Sequence, residues 1–241
     1  MVDCFVSREH IPGAVYMNIF EAEHNDNFPR NLPKAKTIEE KARAAGINKD
    51  THVVVYSDSA FCGFFIGGRG WWTLKLFSHT QVSVLDGGLA KWKSCEYPLT
   101  NAVVPTKTGN FTSKWDGVLY RSYEDVLGNV KSNKFQLVDC RPAAAFNGEE
   151  GCLGHIKGAK NIQLGLVINQ DKLELKSTDE LKEVFSKAGV DVKKPMVCHC
   201  VSGLASCTVT IAAMLCGSKN IAIYHGGYSE WKNRSPDLLV K

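Results

Sequence analysis

A chain of 241 residues has room for one large domain or two of about 100–150 residues each, and 44% apolar residues are enough to build their cores. A net charge of +4 is mild and comes without any Lys/Arg run, so nothing points to nucleic acid, no such partner is expected, and at most small anionic ligands are slightly favoured. The longest apolar run near the end, residues 207–217, is too short to span a bilayer, so no membrane partner is expected.

The first legible motif is "HIPGA" at residues 10–14. Residues 37–47 then open on Thr37-x-x-Glu40, a capping-box pattern in which hydroxyl and carboxylate satisfy free N–H groups at a helix start. Gly46 supplies the stop for that helix. A β-branched run at 53–56, a helical stretch at 64–77 and a strand at 82–85 ending in Gly87-Gly88 follow. Residues 101–117 are polar, contain Pro and Gly and show no apolar periodicity, which marks a linker. The second half adds a leading strand at 135–141, "FQLVDCR", and the motif "HIKGA" at 155–159. A capped helix runs from Ser177-x-x-Glu180 to Gly189, then come a strand at 196–199, a helix at 204–215 and a strand at 221–224 ending in Gly226-Gly227.

The two halves repeat each other in order. "HIPGA" returns 145 positions later as "HIKGA", Gly46 returns 143 later as Gly189, and Trp92 returns 139 later as Trp231. The chain therefore reads as a duplicated domain: residues 1–100, a linker at 101–117, and residues 118–241. Apolar strands alternating with helices specify, in each copy, an α/β fold with a parallel sheet covered on both faces. Only nine residues precede His10, so either the first copy lacks its opening strand or the chain is a truncated form of a longer product.

Nine cysteines at irregular spacings, with no secretory signal before them, argue against a disulfide framework and for a reducing compartment. The expected location is the cytoplasm, or the mitochondrion if a longer product carries an import peptide.

Cys200 stands where a buried strand gives way to a helix, the place where parallel α/β sheets hold their ligands. The residues after it (Val201, Ser202, Gly203, Leu204, Ala205 and Ser206) are small enough, on the whole, to curl with N–H groups inward, and the following helix adds its positive end. Both effects favour an anion, and a thiolate is an anion. The bland reading makes Cys200 a small buried hydrophobe like Cys207 and Cys216. Its strand-to-helix position and the Asp58 matched to it in the first copy favour a nucleophile in one copy and a degenerate site in the other. A metal held by Cys198, His199 and Cys200 is disfavoured because adjacent strand residues face opposite ways, and neither metal nor cofactor is expected. Trp71, Trp72, Trp92 and Trp231 read as core and interface anchors, and His225, standing where the first copy has Asp86, reads as a turn residue.

With "HIPGA", "RGWWTLKLFSHTQVSVLDGGLAKW", "VDCR…GHIKGAKNI", "CVSGLASC" and "IYHGGYSEW" in this order, the chain resembles the tandem rhodanese family of thiosulfate and 3-mercaptopyruvate sulfurtransferases. The resemblance implies two rhodanese-like domains, the first non-catalytic, and a monomer in which Cys200 takes a sulfur from a small-molecule donor as a persulfide. The sulfur then passes to cyanide or to a thiol acceptor such as thioredoxin. It implies that His10 pairs with Ser202 and an aspartate, a place that Asp3 could fill. Two basic residues that thiosulfate enzymes carry after the cysteine are replaced by Val201 and Ser202, which favours mercaptopyruvate. An arginine of the family's carboxylate clamp is replaced by Ala145 and a second is absent, a loss of roughly 1.5–3 kcal/mol per bidentate pair. Arg141 and Lys157 remain as cations for the donor, although Arg141 reads equally as a structural ion pair. A cysteine phosphatase of the C-x5-R type is excluded by Ser206 at the arginine position. The remaining alternative is a weakly active sulfur carrier or interaction module.

Overall fold

The computed structural model describes residues 9–149 and 151–241. The first half forms α1 (Ala35–Ala44), β1 (Val53–Val55), α2 (Phe64–Leu76), β2 (Val82–Val84) and α3 (Gly88–Ser94). The second half begins with β3 (Tyr120–Arg121), α4 (Tyr123–Ser132), β4 (Gln136–Asp139), α5 (Ala143–Phe146), β5 (His155–Ile156) and β6 (Lys160–Asn161). It continues with β7 (Ile168–Asn169), β8 (Glu174–Leu175), α6 (Thr178–Lys187), β9 (Met196–His199), α7 (Ala205–Leu215), β10 (Ile221–Tyr224), α8 (Gly227–Arg234) and β11 (Leu239–Val240). No helix among the described residues is long and apolar enough to cross a membrane.

The second half carries a five-stranded parallel sheet ordered β3-β10-β9-β4-β6. Every residue of β9 and β10 is buried, as continuous apolar strands covered on both faces require. In the first half β1 pairs in parallel with β2. Among the described residues no strand lies on β1 where β4 lies on β9, and β1 residues line a cavity of ≈ 750 Å³ there.

Strand register makes the duplication quantitative. Val53 pairs with Val82, and Met196 with Ile221. Four residues on from each first member stand Ser57 and Cys200, so Ser57 and not Asp58 occupies the place of the cysteine. The hydrogen bonds agree: Leu89 N–H donates to Ser57 O, and Tyr228 N–H to Cys200 O. Motif spacing missed this because the loop after β1 is three residues longer than the loop after β9. The "HIxGA" motifs match as well, since His10 bridges Thr100 as β5 pairs antiparallel with β11.

The capping box at Ser177 and Glu180 forms as expected. The one at Thr37 does not: α1 begins two residues earlier, behind an extended Lys34 that follows buried Pro33. Both helices end at Gly46 and Gly189, whose φ angles of +79° and +67° other residues rarely adopt.

The two halves meet where α2 crosses α7. A Cβ on Gly68 would lie 2.9 Å from Thr208 Oγ1, so the glycine sets how closely the helices approach, and Thr208 Oγ1 donates to Phe64 O across the contact at 2.9 Å. Asp86 accepts from Leu175 N–H at 2.9 Å, and Lys91 pairs with Glu174 beside it.

Residues 101–117, aperiodic in sequence, pack as a strap over the first domain. Gly109 N–H donates to Arg43 O at 2.8 Å, Phe111 N–H to Ile47 O at 3.1 Å, and Arg43 Nε to Phe111 O at 2.7 Å. Phe111 is 2% exposed and meets His79 edge-on. Phe111→Ala is expected to lower stability in urea unfolding by about 3 kcal/mol, the low end for a buried Phe-to-Ala truncation. Activity under folding conditions should be unchanged, because the strap lies away from Cys200.

Candidate active site

Cys200 follows directly on β9, at the carboxyl end of the sheet, and four residues separate it from α7. It is 4% exposed. Leu204 N–H donates to its Sγ at 3.3 Å, and Ser206 O–H lies 3.6 Å from the same atom. These are the two donors that the small loop and the start of α7 bring to the sulfur. The loop is anchored from behind by α8, where Tyr228 N–H donates to Cys200 O at 2.8 Å and Ser229 N–H to Val201 O at 3.1 Å. That approach needs Gly227: its φ is +53°, and a Cβ there would lie 2.3 Å from Cys200 O.

Neighbouring thiols differ in kind. Burial pushes the thiols of Cys140 and Cys207 well up, so both stay protonated, and Cys207 donates to Gly203 O at 3.2 Å. His199 is fully buried beside Asp139, and burial lowers its pKa, which keeps the ring neutral. Among the described residues no cluster of His, Cys, Asp or Glu could hold a metal ion.

The first domain supplies the other wall. Arg69, on α2, is completely buried. Its Nη1 donates to Gly203 O at 3.0 Å and Ser202 O at 3.4 Å, and lies 3.3 Å from His225 Nδ1. Its Nη2 donates to Arg30 O at 2.8 Å. Burial lowers the guanidinium to about 10, so it remains charged at neutral pH, and no carboxylate among the described residues pairs with it. His225 is no simple turn residue: it is buried, stacks on Phe28 with centroids 5.4 Å apart, and lies 5.6 Å from the Trp72 ring. Burial and the charge of Arg69 hold its pKa well below the ordinary value, and the Arg69 donor requires a bare Nδ1.

A rhodanese-like domain model matches residues 3–95 and again 122–234. The chain belongs to the rhodanese family. It is 37% identical to a thiosulfate sulfurtransferase of Gallus gallus, covering 94% of this chain and 80% of the relative. It is 34% identical to a 3-mercaptopyruvate sulfurtransferase of Mus musculus, covering 96% and 80%. The crystal structure of the 3-mercaptopyruvate enzyme SseA from Escherichia coli matches with a TM-score of 0.80 at 35% identity, covering 90% of this chain and 82% of that one. This rhodanese is thus an enzyme of the sulfurtransferase class with two rhodanese domains.

Of the expected site residues, the structure gathers Cys200, Val201, Ser202, Gly203, Leu204, Ala205 and Ser206 in one loop and start of α7. His10 does not pair with Ser202: Ser202 Oγ accepts from Arg30 Nη1 at 3.0 Å, while His10 lines the first-domain cavity with Tyr56 and Asp58. Asp3 lies outside the described residues. Arg141 is an internal ion pair rather than a donor clamp. It grips Asp139 through Nε and Nη2 at 2.6–3.0 Å, donates to Gly154 O, and lies under the Tyr228 ring at 4.0 Å. Burial alone would raise the Asp139 carboxyl, but the Arg141 guanidinium that grips it holds it below the usual range. Lys157 is at the wrong end: its N–H reaches Leu238 O, and the adjacent Gly158 and Lys160 line a cleft with Gln136 and Pro195 at the amino ends of β4 and β9. Ala145, on α5 just after β4, does lie at the carboxyl end.

Sequence reasoning missed Arg30, Arg69 and the role of His225. A single charge inside the apolar stretch "FFIGGRGWW" was the available signal for Arg69. Because His225 is neutral in the fold and titrates near 6.5 when unfolded, its contribution is complete above that pH and lost as pH falls below it. His225→Asn should make the loss of stability between pH 7 and 5, followed by urea unfolding, shallower by up to about 1.4 kcal/mol per pH unit. His199 keeps part of the slope in the variant.

Proposed function

We propose that this enzyme moves a sulfane sulfur from 3-mercaptopyruvate, or less well from thiosulfate, to a thiol or cyanide through a persulfide on Cys200. The observation that carries the reading is a nearly buried thiol with Leu204 N–H and Ser206 O–H aimed at its sulfur, at the head of α7. In the first half-reaction the Cys200 thiolate attacks the donor sulfur. The carbon–sulfur bond of mercaptopyruvate breaks, its electron pair stays with the carbon, the proton of the donor thiol passes to that carbon, and pyruvate leaves. With thiosulfate the sulfur–sulfur bond breaks and sulfite leaves. In the second half-reaction an acceptor thiolate or cyanide attacks the outer sulfur and returns Cys200 as thiolate. The two donors on Sγ are placed to steady charge on the sulfur as it is exchanged. The partners are these small molecules and a thiol acceptor such as thioredoxin, acting on a monomer.

A second reading, a sulfur carrier with weak turnover, is favoured by Ala145, which leaves the second domain without a guanidinium for an α-keto acid. Steady-state release of pyruvate from mercaptopyruvate separates the two, since a carrier gives a single turnover per chain.

Cys200→Ser is expected to abolish transfer, while Cys207→Ser keeps most of it. Mass spectrometry after donor treatment should find one added sulfur, on Cys200. Full activity in Cys200→Ser would end the persulfide reading. Ala145→Arg is expected to lower the KM for mercaptopyruvate with little change in kcat, the signature of added uniform binding. An unchanged KM would show that the position does not face the donor.

A further inference from the structure

We propose that Arg30, from the non-catalytic domain, is the residue that binds the anionic group of the sulfur donor, the carboxylate of mercaptopyruvate or the oxyanion end of thiosulfate. The inference rests on the sulfurtransferase reading and names the cation it requires. Every donor of this chemistry is an anion. Yet residues 201–206 carry no charge, Arg141 is consumed by Asp139, and Lys157 lies at the opposite end of the sheet.

Arg30 reaches the loop from the other domain. Its Nη1 donates to Ser202 Oγ at 3.0 Å, two residues from the nucleophile, and the residue itself is exposed. A guanidinium has five N–H donors, so one bond to a hydroxyl leaves a fork for an incoming carboxylate. Of the acids in its segment, Glu23 pairs with Lys34 and Glu21 with Lys41, and exposed Asp26 forms no ion pair with Arg30. Among the described residues no carboxylate pairs with Arg30.

Its position is fixed from three sides. Arg69 Nη2 holds the Arg30 carbonyl at 2.8 Å while Nη1 of the same guanidinium holds the Ser202 and Gly203 carbonyls. Phe28 stacks on His225, and Asn27 Oδ1 accepts from Asn233 Nδ2 of α8 at 2.8 Å. Asn25 Oδ1 caps the turn by accepting from the N–H groups of Asn27 and Phe28, both at 3.0 Å. Two guanidinium groups thus meet one neutral loop without a carboxylate between them. A site so charged is completed by an anion.

The test measures kinetics and binding together. Arg30→Gln keeps an N–H donor for Ser202 Oγ and removes the charge, Arg30→Lys keeps the charge without the fork, and Arg30→Ala removes both. Arg30→Gln and Arg30→Ala should raise the KM for mercaptopyruvate and for thiosulfate about tenfold or more, the scale of a lost charge-assisted pair. The kcat, the KM for a neutral acceptor such as 2-mercaptoethanol, and the melting temperature should stay at wild-type values, with Arg30→Lys falling between. Binding of pyruvate, which transfers no sulfur, is followed by calorimetry and should weaken by the same factor in Arg30→Gln. Wild-type KM values and wild-type pyruvate affinity in Arg30→Gln overturn the proposal. If pyruvate binding depends on Arg30 while no sulfur is ever found on Cys200, the anion site stands and the persulfide reading falls.

Discussion

A charge buried where two domains cross governs how this molecule is assembled. Isolating a guanidinium from water costs several kcal/mol unless its donors find acceptors. Arg69 finds them for Nη1 and Nη2, though not for Nε, in the carbonyls of Ser202, Gly203 and Arg30 and in His225 Nδ1. Three of these four acceptors belong to the second domain, and the fourth belongs to the first-domain segment that meets it. Satisfying one side chain of α2 therefore fixes the loop after Cys200, the turn before α8 and the segment around Arg30 relative to one another. The close crossing at Gly68 serves the same end, since a longer distance between α2 and α7 would draw Arg69 off the loop. The first domain has Ser57 at the register position of Cys200, and it carries the buried guanidinium that the loop after Cys200 packs on.

The duplication explains how such a division arises. Register equates Ser57 with Cys200, and sequence equates Asp86 with His225. Each Gly-Gly turn reaches across to the other domain. Asp86 takes Leu175 N–H and lies beside the pair of Lys91 and Glu174, while His225 receives Arg69. An aspartate at 225 would neutralise the guanidinium. A neutral histidine accepts its hydrogen bond and leaves its charge uncompensated beside the loop after Cys200.

Much of this was legible in the sequence, for definite reasons. Continuous apolar strands reveal themselves without alternation, and the strands at 196–199 and 221–224 lie where their composition puts them. Gly46 and Gly189 mark helix ends because the positive φ there is costly to other residues. The cysteine loop was legible because a strand, a thiol and a small-residue turn occur together. What stayed hidden depends on distance along the chain. Arg30 sits in an aperiodic segment and meets Ser202 across 172 positions, which no local pattern encodes. The strap at 101–117 is held mainly by backbone hydrogen bonds and one phenylalanine, so composition reads it as a plain linker. Arg141 and Lys157 were both cations of the right kind. Only the fold could show that one is paired and the other remote.

On the proposed persulfide mechanism, the position of the cations also bears on how two half-reactions would share one cleft. Cys200 is nearly buried, whereas Val201 beside it is 44% exposed and Arg30, bonded to Ser202, is exposed as well. In the proposed site a charge at this edge would draw the anionic end of a donor outward and leave its sulfur pointing inward, the orientation that attack by Cys200 requires. The same charge must release an anionic product before an acceptor can enter. An exposed guanidinium is suited to this, because water competes for its donors and the ion pair is worth far less than a buried one. Tighter anion binding in the interior would lower KM and slow product departure in equal measure. An exposed cation at the edge, together with a buried one behind the loop, would separate the task of holding the substrate from that of holding the loop.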